Sequence, residues 1–307
     1  MITYHFRTVK DEKLQTFTEP RPGVWVDVVS PSAEEIDSLV AYFGLDQGIL
    51  KDATDFFEVP RFERSGSAAY FFTRYLLDSD VEHIDTAPIL LVVGESFVLT
   101  LAIAEAPFLT PFRDGIRNVI TTQKTKLFLE LMTAIADEYA RELTQIRRGV
   151  NRMRGKLRKI GNKNIERLVE YENALNDIVD SLVPTSAWLS QVLTGNYLQL
   201  FKEDIALVED LTIANNQLVG SGTSLLKAIQ NIRAAHESIL TSNLNVTIRM
   251  FAALTILLTI PMIVTSFFGM NVPVPLQQNR FGFIYILLLT CGAMGALWYY
   301  FSKKRWL

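Results

Sequence analysis

A stripe of small, hydroxyl and amide side chains runs through the most apolar part of the sequence. Its members alternate by three and four positions and are Asn245, Ile248, Ala252, Thr255, Thr259, Met262 and Ser266. Residues three and four apart share one face of an α-helix. The stripe therefore offers neutral oxygen atoms on one side of a helix, and such atoms replace or bind part of the water around a metal cation.

Two explanations of this stripe are open from its spacing alone. Small and hydroxyl residues let transmembrane helices approach closely and hydrogen-bond, which would make the stripe a packing surface. Alternatively, the stripe lines an ion path in which Ile248 and Met262 form apolar constrictions. The lack of carboxylates is compatible with a cation path, because Mg²⁺ holds its inner water tightly and is often bound through it. Another face, which includes Leu254 and Leu257, suits lipid.

Two uncharged segments near the end of the sequence are each long enough to cross a membrane. Residues 250–268 and 282–301 contain no charged residue, and about 20 helical residues span the hydrocarbon core. All 33 acidic residues precede these segments. The Lys303-Lys304-Arg305 cluster that follows them marks its side as cytoplasmic by the positive-inside rule. The sequence thus predicts a two-span cell-membrane protein with both termini in the cytoplasm.

The part before the spans is predicted to be mixed α/β and then helical, giving an α+β class followed by long helices. A helix is expected after Ser30-Pro31-Ser32, where acids follow a polar cap. Strands are expected at 3–8, 24–29, 69–77 and within 88–101. The sequence contains no Gly-rich phosphate loop, nucleophile elbow or paired-carboxylate motif, so no enzymatic activity, organic cofactor or nucleic-acid partner is predicted.

A seven-residue repeat precedes the first span. Its members are Leu211, Leu218, Leu225, Ile232, Ile239 and Val246. Six consecutive matches favour a packed, coiled-coil-like helix. No stop signal separates this helix from the first span, so a single helix about 100 Å long is predicted. A helix of that length needs partners, and oligomerisation is expected.

These patterns divide the sequence into six segments. They are a cytoplasmic α/β domain at 1–120, a cytoplasmic helical hairpin at 121–198, a stalk helix that continues into the first span at 199–268, an outer loop at 269–281, a second span at 282–302 and a basic cytoplasmic tail at 303–307.

The first span ends in the tripeptide Gly269-Met270-Asn271, which resembles the signature of the CorA family of magnesium and divalent-cation transporters. Its position, between two C-terminal spans and before a basic tail, is also similar to that of the family. Upstream, the segments Val24-Trp25-Val26-Asp27, Leu50-Lys51-Asp52 and Pro60-Arg61 resemble family segments, so the resemblance covers most of the sequence.

The resemblance implies a funnel-shaped homopentamer, in which the first span lines the pore and the second faces lipid. Gly269, Met270 and Asn271 would form an outer ring that captures a hydrated divalent cation, and the stripe would line the pore, with Ile248 near the hydrophobic gate. Mg²⁺ would be the transported ion. It would also be a regulatory ion that binds between neighbouring subunits and holds the pore closed. Asp52 and Asp210 lie where its ligands are expected; the alternative is that both are solvated surface acids.

The outer loop departs from the family pattern. Many members carry an acid after Gly-Met-Asn, whereas residues 272–280 hold no acid and one positive charge, Arg280. An acid there would concentrate cations electrostatically. A magnesium channel is the leading hypothesis. A zinc or other divalent-cation transporter on the same scaffold, with or without proton coupling, is the first alternative, since the resemblance extends to zinc-transporting relatives that share the architecture. Cobalt or nickel often accompany magnesium in the family. A membrane-anchored coiled-coil scaffold without a pore is the second alternative.

Overall fold

The computed structural model describes residues 1–77, 85–117, 119–155, 161–193, 198, 200–276 and 278–306. The chain divides into two compact units, Met1–Ile232 and Arg233–Leu307. The strands are β1 (Ile2–Phe6), β2 (Gln15–Phe17), β3 (Val24–Val29), β4 (Phe62–Ser65), β5 (Ala68–Leu76), β6 (Thr86–Val93) and β7 (Phe97–Ala102). The α-helices are α1 (Ala33–Phe43), α2 (Gln47–Asp52), α3 (Thr110–Arg113), α4 (Lys124–Arg154), α5 (Asn162–Val192), α6 (Lys202–Phe268) and α7 (Gly282–Lys303).

The first unit is built on a seven-stranded mixed sheet in the order β2-β1-β3-β7-β6-β5-β4. Strands β3 and β7 are parallel, and every other neighbouring pair is antiparallel. Alternate residues of β3 enter two separate cores, because successive side chains of a strand point to opposite faces. Val24, Val26 and Val28 pack with α1 and α2, whereas Trp25 packs with the long helices. The expected α+β class is confirmed.

The buried stretch predicted within 88–101 contains two strands rather than one. A turn at Gly94 separates β6 from β7, and the Gly94 amide donates to the Phe97 carbonyl oxygen over 3.0 Å. A Cβ atom at this position would collide with the Phe97 ring, so the turn requires glycine. The sequence pattern did not predict this short turn, because apolar residues flank it on both sides.

The predicted helix after Ser32 is confirmed as α1, which begins with a capping box. The Ser32 hydroxyl accepts from the Glu35 amide over 3.2 Å, and the Glu35 carboxylate accepts from the Ser32 amide over 2.9 Å. Each contact satisfies a backbone donor that the first helical turn leaves unpaired. The helix ends at Gly44, which adopts the left-handed conformation that favours glycine.

The seven-residue repeat of α6 packs largely within the chain itself. Leu211, Leu225 and Ile232 are buried in the core that also contains residues of α4 and α5. Beyond this point the repeat emerges: Ile239 is half-buried and Val246 is 56% exposed. Heptad spacing arises in any helix that packs along a neighbouring helix. Here the buried residues of the repeat pack against α4 and α5 of the same chain, so the repeat alone does not indicate packing between subunits.

Two glycines on α6, Gly220 and Gly222, should respond oppositely to alanine. A Cβ atom at Gly220 meets nothing within 4 Å, whereas at Gly222 it lies 2.8 Å from Cγ2 of Val179 on α5. We expect Gly220→Ala to raise the free energy of unfolding by about 1 kcal/mol through helix propensity. The free energy of unfolding of the Gly222→Ala variant should be at least about 1 kcal/mol lower than that of the Gly220→Ala variant, because the added methyl group overpacks the contact with Val179. Thermal unfolding of the two full-length variants in detergent measures the difference, and equal stability would contradict the close approach of α5 and α6.

Candidate ion pathway and regulatory carboxylates

The apolar segments of the second unit are largely exposed in a single chain. Helices α6 and α7 each contain an 18-residue stretch that is apolar enough to cross a membrane, with mean hydropathies of 2.1 and 1.6, and only 11% of each stretch is buried. Exposed apolar surface of this extent is unfavourable in water and marks contact with membrane or protein. These helical segments therefore require lipid or neighbouring copies around them.

Helix α7 packs against one side of the membrane segment of α6. Ala253 and Leu257 are buried there in a cluster with Phe301, and Met294 and Leu297 pack at its edge. The sequence pattern assigned Leu257 to a lipid-facing side, but α7 covers it. The small side chain of Ala253, one turn earlier, allows the two helices to approach closely.

The predicted stripe lies on the side of α6 that faces away from α7. Thr255 and Thr259 each follow one of the buried residues Ala253 and Leu257 by two positions, a rotation of about 200° around the helix. All seven stripe residues are exposed in the single chain except Thr259, which is half-buried. Because α7 leaves the stripe uncovered, one chain cannot use it for packing between its own two spans.

The threonine hydroxyls of the stripe donate their protons inside the helix. Thr255 Oγ1 donates to the Phe251 carbonyl oxygen over 2.9 Å, and Thr259 Oγ1 donates to the Thr255 carbonyl oxygen over 2.8 Å. A hydroxyl carries one proton and two lone pairs, so these oxygens present only acceptor sites to the open side. Water bound to a cation directs its protons outward, and the stripe is thus complementary to a hydrated cation.

The predicted Gly269-Met270-Asn271 signature directly follows the last residue of α6, Phe268. The Gly269 amide donates to the Thr265 carbonyl oxygen over 2.9 Å, and a Cβ atom at Gly269 would lie 3.1 Å from that oxygen. Asn271 is exposed, and its carboxamide has no hydrogen-bond partner among the described residues. A free carboxamide at the end of a helix that carries acceptor oxygens can bind the water of an approaching cation.

The connection from the signature to α7 is held by backbone geometry rather than by charge. The Asn279 side chain accepts from the Phe281 amide over 2.9 Å, and Leu276 has a φ of 72°. A Cβ atom at Gly282 would lie 2.6 Å from the Leu276 carbonyl oxygen, so this position requires glycine. Arg280 is exposed and is the only charged residue between 272 and 281. Neutral oxygens, not carboxylates, are therefore available to a cation here.

The basic tail closes α7 with an aromatic contact. The Trp306 amide donates to the Phe301 carbonyl oxygen over 2.9 Å, and the two rings stack at 5.6 Å with an interplanar angle of 10°. Arg305, which precedes Trp306, is left-handed, with a φ of 55°. The chain thus folds back at the end of α7 and holds the Lys303–Arg305 charges beside the helix terminus.

Asp52, the first predicted regulatory residue, lies at the end of α2 and already has a cationic partner. Its carboxylate lies 2.7 Å from Nη2 of Arg61, which also forms ion pairs with Glu58 and Glu63 and lies 4.1 Å from the centroid of the Phe72 ring. Burial disfavours the charged guanidinium, but its hydrogen bond to Glu63 and the three neighbouring carboxylates outweigh burial and raise the pKa of Arg61. A divalent cation at Asp52 would compete with this guanidinium.

Arg61 is thus a site residue whose role the sequence did not reveal. It was noted only within the Pro60-Arg61 segment. The acids at 58 and 63, placed on either side of Arg61 in the sequence, are the signal that would have indicated a charge cluster.

Asp210, the second predicted regulatory residue, belongs to the other layer of the same unit. Helix α2 packs on one face of the sheet, and α6 joins α4 and α5 in the core on the opposite face. Asp210 is exposed on the outer side of α6. One chain therefore does not bring Asp52 and Asp210 together. The described residues also contain no group of three or more His, Cys, Asp or Glu side chains able to hold a metal ion. A site formed by both residues would require two chains.

Comparison with known proteins places these features in a family context. A model described as CorA-like Mg²⁺ transporter protein matches residues 22–305. The chain is 21% identical over 305 residues to the magnesium transport protein CorA of Pasteurella multocida, covering 95% of this chain and 94% of that protein. It is also 21% identical to the cobalt/magnesium transport protein CorA of Methanocaldococcus jannaschii, covering 92% and 91%. The complete structure of the CorA magnesium transporter from Methanocaldococcus jannaschii superimposes with a TM-score of 0.89 at 19% identity, covering 100% of this chain and 99% of that one.

Proposed function

The chain belongs to the family of CorA-like Mg²⁺ transporter proteins, and we propose that it is a homopentameric Mg²⁺ channel whose α6 stripe lines the pore. As a family member it is a membrane transporter of divalent cations with two C-terminal transmembrane helices, and it is not an enzyme. The pentamer, the preference for Mg²⁺ and the gating by the first unit are parts of the proposal.

One observation carries the pore assignment: α7 covers the Ala253 side of α6 and leaves the hydroxyl stripe open. Two helices are too few to enclose a pore, so a pore requires several copies of α6 around one axis. Placing the stripe toward that axis gives acceptor oxygens to hydrated cations and leaves α7 on the outside, toward lipid. The opposite orientation would expose hydroxyl groups to hydrocarbon, which is unfavourable.

The roles along the path follow from side-chain chemistry. Asn271, with Gly269 and Met270, would receive the hydrated ion at the outer mouth. Ile248 and Met262 would narrow the path with apolar groups, and an apolar constriction closes a pore by excluding water. Since the stripe contains no carboxylate, selection would operate on the hydrated ion, in agreement with the reluctance of Mg²⁺ to release its water.

The proposed orientation places the first unit and both termini in the cytoplasm. Lys303, Lys304 and Arg305 follow the second span, and basic residues at the end of a span favour the cytoplasmic side. In this orientation an interior-negative potential drives cations inward, at about 2.3 kcal/mol per charge for each 100 mV.

We further propose that cytoplasmic Mg²⁺ closes the channel by bridging Asp52 of one subunit and Asp210 of the next. The placement of these residues on opposite layers of the first unit supports a site between chains. Divalent cations are held by carboxylate oxygens, and both carboxylates lie on the surface. Feedback would follow, because accumulated ion would hold neighbouring subunits together.

A second candidate function is transport of Zn²⁺ or another divalent cation with proton coupling. The observation in its favour is the outer loop, in which Arg280 is the only charge. Such a loop does not attract cations, so voltage-driven Mg²⁺ entry has less electrostatic help than an acidic mouth would give. A scaffold without a pore would leave the acceptor stripe as a packing surface.

Uptake by the purified protein in liposomes tests these functions against each other. Mg²⁺, Zn²⁺, Co²⁺ and Ni²⁺ are supplied outside, with an imposed voltage or an imposed pH gradient. We expect Mg²⁺ entry that follows the voltage and is indifferent to the pH gradient. Zn²⁺ entry that follows the pH gradient would replace the proposal by the second candidate. Absence of any flux from intact oligomers would favour the scaffold.

A further inference from the structure

The hairpin formed by α4 and α5 carries the densest positive charge of the sequence. Between residues 143 and 165 there are eight Lys or Arg residues and no Asp or Glu, although the whole chain has a net charge of −3. Four exposed members of this run lie around the end of the hairpin, and we call them the basic tip: Arg148, Arg152, Arg154 and Lys163. Charge of one sign at this density attracts an anionic partner.

The cations of the basic tip are not paired with acids in the part of the chain that the structure describes. No described carboxylate forms an ion pair with any of the four. Arg152 Nε donates to the Arg148 carbonyl oxygen over 3.4 Å, which neutralises no charge. By contrast, Arg61 and Arg113 each bind carboxylates. The charge of the basic tip is therefore available to a partner outside the chain.

Close packing of α4 against α5 fixes the positions of these charges. A Cβ atom at Gly149 would collide with the hydroxyl group of Tyr171, so the two helices approach closely beside the basic tip. Val150 and Leu168 are buried in the core that these helices share with the rest of the first unit. The cations thus project from a packed helical hairpin rather than from a free tail.

The end of the hairpin lies in the direction in which α6 runs. The Ser186 hydroxyl of α5 donates to the Asn216 carboxamide oxygen of α6 over 2.9 Å. Further along α6, Gly222 faces Val179, which comes earlier on α5. Helix α5 is therefore antiparallel to α6, and its beginning, at the end of the hairpin, points the same way as the continuation of α6.

The chain leaves the first unit at this same end. Helix α6 passes out of the unit after Ile232, and its uncharged segment begins at Met250, 18 residues later. Because the protein is anchored in a membrane through that segment, lipid headgroups are available to the first unit at a high effective concentration. A soluble anion would have to bind from dilute solution.

We propose that the basic tip docks on anionic phospholipid headgroups of the leaflet that faces the first unit. The inference goes beyond the proposed function, because it does not depend on which ion is transported or on where the pore lies. Anionic leaflets attract clusters of about four to eight basic residues, and each residue near the surface contributes about fivefold to the binding constant. Docking would hold the end of the hairpin against the membrane.

Other occupants fit the basic tip less well. A second copy of the tip would bring like charges together, which opposes association. Nucleic acid offers phosphate groups, but residues 143–165 contain no aromatic residue on which unpaired bases could stack. Attraction to phosphate is then the only recognition that remains, and lipid headgroups supply it without a further ligand.

Fluorescence quenching in the full-length protein tests the docking. In a Cys291→Ser background, which removes the only cysteine, Asn164→Cys places a fluorophore at an exposed position next to Lys163. The protein is reconstituted in phosphatidylcholine vesicles with or without about one third phosphatidylglycerol, and a lipid with a nitroxide on its headgroup is the quencher. We expect quenching in the anionic vesicles that falls as salt is raised from about 0.05 to about 0.5 M, because salt screens surface charge.

Two matched variants, each lacking three charges, identify the residues responsible. Loss of three cations of the basic tip should lower the docking constant about a hundredfold, so quenching should fall to the level of neutral vesicles. The tip variant combines Arg152→Gln, Arg154→Gln and Lys163→Gln. The control should keep full quenching, and it changes three exposed lysines elsewhere in the first unit: Lys10→Gln, Lys13→Gln and Lys202→Gln. Glutamine preserves helix propensity, and size-exclusion chromatography checks the assembly.

Three results would overturn the inference. Equal quenching in neutral and anionic vesicles would show that lipid charge does not position the tip. Equal loss of quenching in both variants would assign the effect to the net charge of the unit. Binding of polyuridylate RNA by the solubilised protein, abolished in the tip variant and accompanied by no dependence on anionic lipid, would assign the tip to nucleic acid. Voltage-driven uptake by the same vesicles reports separately on the proposed function.

Discussion

Replacing Asn271 with alanine is expected to reduce Mg²⁺ uptake by at least about tenfold while leaving the oligomer intact. The Asn271 carboxamide is exposed and bonded to no described residue, so its removal breaks no contact within the chain. In the proposed pore it binds the water of the entering ion. A net hydrogen bond contributes about 1 kcal/mol, and loss of one per subunit in a ring adds to several kcal/mol, where each 1.4 kcal/mol is tenfold.

The control for this variant is Gln278→Ala, which removes another exposed carboxamide from the same connection. Initial rates of voltage-driven uptake are compared at equal reconstitution, and size-exclusion chromatography checks the assembly. The Gln278 variant should transport like the unmodified protein. Near-normal uptake by the Asn271 variant would remove the assignment of the signature as the cation-capturing ring.

The apolar parts of the fold were predictable because their patterns have one simple physical cause. Val24–Val29 was predicted residue for residue as β3, since five of its six residues are apolar, as expected for a strand covered on both faces. The uncharged run before Gly269 predicted a span, and α6 continues through it to Phe268. Local signals were equally reliable where they involve backbone donors, as at the Ser32 cap.

Features that depend on which surfaces meet were not predictable from spacing. The heptads of α6 indicated a packed helix, but the period does not distinguish α4 and α5 of the same chain from another subunit. The apolar side chain of Leu257 is equally compatible with contact with lipid and with packing against α7. The partner of Asp52 was hidden for a similar reason, because the contact of Arg61 with Asp52 across nine positions follows from the fold of the loop after α2. The assignments of the stripe, the signature and the two aspartates to an ion path stay predictions.

The loss of Asp52 and Asp210 is expected to relieve inhibition by internal Mg²⁺. If one bridging ion uses both carboxylates, either single change to alanine removes the bridge, and the double variant adds little more. A coupling of 1–3 kcal/mol corresponds to about 5- to 150-fold in affinity, so the Mg²⁺ concentration for half-inhibition should rise at least about fivefold. The measurement is uptake into liposomes preloaded with increasing Mg²⁺.

Neighbouring acids provide matched controls for this experiment. Asp52→Ala also removes one of the three carboxylates around Arg61, and Glu63→Ala removes another of them without touching the proposed site. Glu209→Ala removes an exposed charge next to Asp210. Both controls should retain inhibition.

Additive effects of the two aspartate variants would indicate separate sites, since residues that act through one ion show non-additive effects. Relief by Glu63→Ala as well would transfer the role from Asp52 to the charge around Arg61, and unchanged inhibition in the double variant would locate regulation elsewhere in the chain.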